Sequence, residues 1–226
     1  MVKMTTTYVF TDIHGCYNTF MTLWNSINPD FIQGDKVIFL GDYIDRGKDP
    51  IKVLQFIKGL TEQYPGQAIA LKGNHEDMCV GYYKYRDRTW ENNGFNYTKT
   101  ALKQLSKEEL TNLLDWMEKL PERYFDTNYR YCHSGYWPNE LDYYGYSKTI
   151  WDRSWCIQST AYENAAPTIF GHTPVKQVVE VFSDMFDIDT GCVYGNSLSC
   201  AVIDDDTGSI EFISVKNMEG QNNAII

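Results

Sequence analysis

The stretches that decide the fold are YVFTDIHG at residues 8–15, KVIFLGDYIDRG at residues 36–47 and AIALKGNHE at residues 68–76. Each passes from a short apolar run into a polar cluster that contains a glycine. The segments between them carry apolar residues at helical spacing, and the second begins at Pro50, a residue that helices favour in their first turn. Because strands and helices alternate, the sequence predicts parallel strands joined by right-handed crossovers.

The rest of the chain predicts one capped helix and several further strands. Ser106 and Glu109 match a capping box, and leucines at helical spacing follow them. Short apolar runs predict strands at residues 129–133, 168–170 and 185–188 and a closing hairpin over residues 198–215. A parallel half followed by a more antiparallel half predicts an α/β fold with two packed mixed β-sheets flanked by helices. We expect one domain over residues 1–226.

Composition limits the class of protein. A hydrophobic content of 43% indicates a folded globular chain, and a net charge of -10 repels the nucleic-acid backbone. A cleft filled with cations would still admit a phosphorylated substrate. No apolar run reaches the length of a membrane span, and the N-terminus lacks the pattern of a signal peptide. The six scattered cysteines form no CxxC pair, so we expect reduced thiols and a cytoplasmic location. The sequence contains no signal for oligomeric state, and a monomer is the default expectation.

Polar residues follow each of the first three predicted strands. Ligands bind just beyond the carboxyl ends of the strands in open α/β sheets. Parallel neighbouring strands would bring these residues to a single cleft. They are Asp12 and His14, Asp42 and Asp45, and Asn74 and His75.

The histidines point to the same cleft. The chain contains only four, and each lies at a predicted strand end before a small or turn-forming stretch: His14, His75, His133 and His172. Carboxylates, imidazoles and one amide oxygen suit Mn, Fe or Zn, and the set is too rich in nitrogen for calcium. Two metal ions need a bridging ligand, and Asp42, on the central strand of the three, is the candidate.

Five motifs in register carry a family resemblance. They are DIHG at residues 12–15, GDYIDRG at 41–47, GNHE at 73–76, HSG at 133–135 and GHT at 171–173. Together they resemble the phosphoprotein phosphatase branch of the calcineurin-like metallophosphoesterases, in its compact bacterial or phage form. The resemblance implies the calcineurin-like metallophosphoesterase fold, an αββα sandwich.

The resemblance also implies a role for each residue. The first metal ion would be held by Asp12, His14 and Asp42, and the second by Asp42, Asn74, His133 and His172. His75 would protonate the leaving alkoxide while Asp45 orients its ring. Arg46 and Arg153 would bind phosphate oxygens, although Arg153 could instead form a surface ion pair.

The implied reaction is hydrolysis of phosphoserine and phosphothreonine in a protein or peptide. A hydroxide that bridges two divalent ions would attack phosphorus directly, and the resemblance favours Mn²⁺, with Fe and Zn as alternatives. Activity on phosphotyrosine stays open.

Two positions depart from the family pattern, and two alternatives compete with it. Lys72 stands where many relatives have arginine, which leaves its phosphate contact open, and Thr11 stands where glycine is usual. The nearest alternative is a symmetrical diadenosine tetraphosphate hydrolase on the same scaffold. Those relatives typically lack the Asp45 carboxylate and have aspartate at Glu76, so both residues favour the phosphoprotein substrate. A non-catalytic scaffold is disfavoured because every ligand position is filled.

Overall fold

The computed structural model of the chain describes residues 5–135, 145–154, 167–182 and 184–219. Ten strands form two five-stranded sheets. The strands are β1 (Thr6–Phe10), β2 (Lys36–Phe39), β3 (Ala68–Ala70), β4 (Arg123–Phe125), β5 (Arg130–Cys132), β6 (Thr168–Phe170), β7 (Val179–Phe182), β8 (Met185–Asp187), β9 (Ser197–Asp204) and β10 (Ile210–Lys216). The helices are α1 (Tyr17–Ile27), α2 (Pro50–Gln63), α3 (Asn74–Val80), α4 (Asn96–Leu102), α5 (Lys107–Lys119) and α6 (Lys148–Trp151).

The first sheet has the order β10-β9-β1-β2-β3. β1 pairs with β2, and β2 with β3, in parallel, which confirms the predicted strand-helix alternation. β2 lies between the other two, so Asp42 does follow the central strand of the three. The closing hairpin β9–β10 is confirmed, and it adds to this sheet antiparallel to β1.

The second sheet has the order β4-β5-β6-β8-β7. Its outer pairs are antiparallel, but its interior pairs β5–β6 and β6–β8 are parallel. The second half is therefore less antiparallel than the sequence suggested. The connection from β5 to β6 is long enough for a parallel crossover, and sequence periodicity alone does not distinguish it from a wide antiparallel return.

The alternation of side chains along the first sheet explains why it is buried on both faces. Val9 and Ile38 contribute to an apolar cluster with Tyr131 and Ile169 of the second sheet. Phe10, the next residue after Val9, belongs instead to the larger cluster that includes the helices. Successive strand residues face opposite sides of a sheet, so one sheet packs on both a second sheet and a helical layer. The α/β architecture of two mixed sheets flanked by helices is confirmed.

The predicted helix starts are also present. Pro50 occupies the first turn of α2. Ser106 caps α5: its hydroxyl accepts from the Glu109 amide at 3.2 Å, and the Glu109 carboxylate accepts from the Ser106 amide at 2.8 Å. Within the described ranges, no helix is long and apolar enough to cross a membrane. Five cysteines are buried free thiols, and Cys156 lies outside the described residues.

Candidate metal centre

The turns after β1, β2 and β3 meet at one end of the first sheet. The Asp12 amide donates to the Gly41 carbonyl at 3.2 Å, and the His14 amide donates to the Asp42 carbonyl at 2.9 Å. The His75 amide donates to Asp42 Oδ1 at 3.0 Å. These bonds connect the three polar clusters to one another. The side chains predicted to meet at the strand ends are therefore neighbours, and all are buried.

The backbone is strained at this point. In the described part of the chain nine residues other than glycine have positive φ, and six of them are predicted site residues: Asp12, His14, Asp42, Asp45, Arg46 and His172. Left-handed conformations cost free energy in residues with a Cβ atom and persist only where the surroundings hold them. Such a concentration of outliers is typical of a functional site.

Two glycines allow two of these turns to touch. A Cβ atom on Gly41 would overlap the Gly73 backbone, and one on Gly73 would overlap the amide nitrogen of Asp42. Gly41 also has a φ of 111°, which favours glycine. Gly41 and Gly73 therefore allow the turn that contains Asp42 to lie close to the turn that contains Asn74.

A first group of ligands surrounds the outer nitrogen of His14. The Ile44 carbonyl lies 2.6 Å from His14 Nδ1, so this nitrogen carries the proton and Nε2 offers a lone pair. Nε2 lies 3.4 Å from Asp42 Oδ2 and 3.8 Å from Asp12 Oδ1. The other Asp12 oxygen accepts from the Thr11 hydroxyl at 2.6 Å. Thr11, the departure from the family pattern, thus orients a predicted metal ligand.

A second group surrounds His133. The Leu40 carbonyl lies 3.1 Å from His133 Nδ1, which again leaves Nε2 facing the site. That nitrogen lies 3.1 Å from Asn74 Oδ1, 3.1 Å from His172 Nδ1 and 3.4 Å from Asp42 Oδ1. His172 Nε2 is buried, and no described residue hydrogen-bonds to it.

These two groups fit a pair of divalent metal ions. Imidazole and carboxylate lone pairs converge in the first group, and the Asn74 amide oxygen joins them in the second. Such an arrangement repels itself unless a positive charge lies at its centre. Asp42 Oδ2 faces His14 and Asp42 Oδ1 faces His133, so this carboxylate could serve both groups. Possible ligand atoms, one each from His14, Asp42 and His75, lie within 4.8 Å of one another, so His75 could also bind a metal ion. Its predicted role is nevertheless proton transfer. The ligand assignment residue by residue stays a prediction.

Burial and mutual charge shift the pKa values of the candidate ligands. Burial alone would raise the pKa of Asp42, but the neighbouring histidines, His133 first, lower it well below its usual value. Burial would lower the pKa of His133, but Asp42 beside it raises that pKa to about 9. Burial lowers the pKa of His14 and His172 well below the usual value. The latter two are neutral, the form of imidazole that binds metal.

His75 and Asp45 form the predicted pair. His75 Nδ1 lies 2.6 Å from Asp45 Oδ2, and both side chains are buried. The indole nitrogen of Trp90 donates to the same carboxylate oxygen at 2.6 Å. The Asp45 amide donates to the Thr98 hydroxyl at 2.8 Å. Sequence reasoning did not find Trp90 or Thr98, and the only signal for Trp90 was a large apolar side chain in the polar stretch TWENNG.

Glu76 holds the turn after β2 in place. Its carboxylate accepts from the amides of Asp42 at 2.8 Å, Tyr43 at 2.9 Å and Gly73 at 3.0 Å. The fully buried carboxylate thereby joins the turn that contains Asp42 to the start of α3. This positioning role of Glu76 was not predicted from the sequence, where the residue only favoured one substrate over another.

The predicted phosphate-binding side chains lie at the edge of the site. Arg46 Nη1 contacts His14 Nε2, and its guanidinium lies 5.7 Å from the centre of the Tyr194 ring. The guanidinium would have to move aside for His14 to bind a metal ion. Arg153 Nη1 donates to the Thr173 hydroxyl at 2.9 Å, and Thr173 follows the candidate ligand His172.

Lys72 is the departure from the usual arginine. Its amine lies 3.9 Å from Asp77 Oδ1 on α3. This ion pair gives the lysine a charge partner within the protein, and its contact with phosphate stays open.

Comparisons with known proteins agree with this geometry. Residues 5–206 match the model of the calcineurin-like phosphoesterase family. The chain is 28% identical to the asymmetrical bis(5'-nucleosyl)-tetraphosphatase PrpE of Bacillus subtilis, over 84% of this chain and 88% of that protein. It is 27% identical to serine/threonine-protein phosphatase 1 of Salmonella typhimurium, over 87% and 91%. A metallophosphoesterase structure from Sphaerobacter thermophilus superposes with a TM-score of 0.63 at 19% identity, over 94% and 89%.

The family match covers most of the chain, including all five motifs, and the resemblance inferred from them is confirmed at the level of the family. The relatives include protein phosphatases, in agreement with the phosphoprotein phosphatase branch. The chain belongs to the calcineurin-like phosphoesterase family of metal-dependent hydrolases.

Proposed function

We propose that the chain is a Mn²⁺-dependent protein phosphatase that hydrolyses phosphoserine and phosphothreonine monoesters, with phosphotyrosine as a further substrate. The paired His75 and Asp45 are the observation that carries this proposal. The alkoxide of serine or threonine leaves poorly unless it is protonated, whereas a nucleoside phosphate leaves with little help. A buried, carboxylate-oriented imidazole at the metal centre is what the poorer leaving group needs. The outer nitrogen of His75 lies 3.9 Å from Asp42 Oδ2, close to the candidate ligands.

Each residue would have a separate task. The metal ions would be held by Asp12, His14, Asp42, Asn74, His133 and His172. When bound, two divalent ions lower the pKa of a water molecule and neutralise the phosphate oxygens. Arg46 and Arg153 would add planar hydrogen-bond donors for those oxygens. His75 would give the proton on Nε2 to the leaving oxygen, while Asp45 holds the proton on Nδ1 and stabilises the charged ring.

Hydrolysis of a dinucleoside tetraphosphate is the second candidate. The Bacillus subtilis relative supports it, since its name states this activity and the match spans most of both chains. Asp45 and Glu76 weigh only against the symmetrical form of this activity, because symmetrical hydrolases typically lack the Asp45 carboxylate and have aspartate at Glu76.

The test compares two substrates on metal-stripped protein, with and without added Mn²⁺. We expect Mn²⁺-dependent release of phosphate from a phosphoserine peptide, with much slower cleavage of diadenosine tetraphosphate. Faster cleavage of the dinucleotide would keep the metal centre and replace the substrate. Its products, two ADP or one AMP and one ATP, would then separate symmetrical from asymmetrical cleavage.

A further inference from the structure

A groove of about 640 Å³ opens beside the metal centre. Pro174 and Val175 give it an apolar wall, and Tyr194 contributes an aromatic ring. Arg153 and Lys176 contribute two cations. All five side chains reach solvent at least in part. The groove therefore combines apolar contact with positive charge, and neither the metal ligands nor the acid–base pair uses it.

The groove is continuous with the site through two contacts. Arg153 Nη1 donates to Thr173, the residue directly after the ligand His172. The Tyr194 ring at its other side lies against the Arg46 guanidinium. If the phosphate of a substrate lies between the two arginines, the rest of the substrate can extend into this groove.

The charge of the groove opposes that of the whole molecule. The protein carries a net charge of -10, which repels acidic peptides at long range. Among the described residues that line the groove, the charged ones are Arg153 and Lys176, and cations there favour a carboxylate over a neutral or basic side chain. The apolar wall of Pro174 and Val175 suits the methylene groups of a glutamate and its neighbours.

We propose that this groove binds the peptide next to the phosphorylated residue and selects an acidic side chain there. This rests on the proposed protein phosphatase activity. The acidic side chain places its carboxylate by Lys176, while Arg153 holds the phosphate and the adjoining peptide packs on Pro174 and Val175. The substrates of this phosphatase are thus phosphorylated residues in acidic sequence contexts.

The experiment uses phosphoserine peptides that are neutral except for one glutamate, moved in turn through the positions on either side of the phosphoserine. We expect at least one position at which glutamate raises kcat/KM about fivefold over alanine. Lys176→Gln should reduce that preference to near unity, and Lys176→Glu should reverse it. Lys107→Glu, an equal change of charge at an exposed lysine on α5, should keep the full preference. Thermal unfolding would verify that every variant is folded.

The outcomes separate the groove from the proposed function. Equal kcat/KM for all peptides with the wild-type protein, or an unchanged preference in Lys176→Glu, would overturn the groove as the acid-selecting site and leave the phosphatase activity intact. Failure to cleave any phosphopeptide, with rapid cleavage of diadenosine tetraphosphate, would overturn the proposed function itself. A higher KM of Lys176→Glu for the dinucleotide in that case would assign the groove to a nucleotide.

Discussion

The metal centre and the groove beside it are built in opposite ways. The six candidate ligands are almost completely buried, four of them have a strained backbone with positive φ, and hydrogen bonds from other turns hold Asp12 and Asp42. The side chains of Arg153 and Lys176 in the groove are exposed, and Tyr194 is 39% exposed. Changes in the buried part disturb several turns at once, whereas changes in the groove alter charge and shape locally. This division fits chemistry that is fixed by a rigid scaffold and substrate choice that is set at the surface.

The largest effect is expected from a change of Asp42, the candidate shared ligand. Asp42→Asn removes the charge that both halves of the centre use, so we expect turnover to fall about a thousandfold and the metal content to fall from two ions. Elemental analysis of purified protein together with kcat would measure both. Asp206→Asn, in the exposed turn between β9 and β10, is the matched control. Full metal content and normal turnover in Asp42→Asn would remove Asp42 as the bridge.

His75→Asn tests the acid within the buried part. We expect about a hundredfold loss of kcat on a phosphoserine peptide, because the alkoxide then leaves without a proton. On p-nitrophenyl phosphate, whose leaving group is already stable, the loss should be below about tenfold. Equal losses on both substrates would contradict the role of His75 as the acid.

Glu76→Gln tests whether the carboxylate that holds the turn after β2 is needed for metal binding, although Glu76 is not itself a candidate ligand. The amide group of glutamine would turn a donor toward the backbone amides of Asp42, Tyr43 or Gly73, so the turn after β2 should shift. We expect Mn²⁺ affinity to fall about twentyfold, as for partners that orient ligands in other metal sites. Isothermal titration would measure it. Glu109→Gln, at the exposed capping box of α5, should leave the affinity unchanged.

Trp90→Phe should give the smallest loss of activity, and the loss should be confined to the phosphoserine peptide. It removes one hydrogen bond to Asp45 and keeps most of the packing, so we expect about a fivefold loss on the phosphoserine peptide. Turnover of p-nitrophenyl phosphate and Mn²⁺ affinity should hardly change. A general loss of stability would instead reduce activity on both substrates. Trp24→Phe, in the aromatic cluster of α1, controls for the loss of an indole.

The sequence predicted the parts of the molecule that follow from periodicity and from general sheet rules. Asp12, Asp42 and Asn74 could be placed together because parallel strands end at the same edge. The roles of Glu76 and Trp90 could not be predicted, since their partners depend on the paths of turns with positive φ. Local pattern contains no information on such paths.

The sheet to which the closing hairpin belongs could not be predicted from the sequence for a similar reason. Strand periodicity predicts β9 and β10 but not their partner, and β9 pairs with β1 across almost the whole chain. The parallel interior of the second sheet was missed because the partner of β5 lies beyond a long connection.

The pairing of β1 with β9 has a consequence for the order in which the protein forms. Thr6 pairs with Asp204, and the His172 amide donates to Asp12 at 2.9 Å, so the first ligands of the chain depend on some of its last residues. Contacts of such sequence separation form slowly and late in folding. During synthesis one edge of β1 stays unpaired until the C-terminal hairpin leaves the ribosome. A nascent chain without β9 would therefore contain all six candidate ligands but lack the strand that pairs with β1 and supports the first of them.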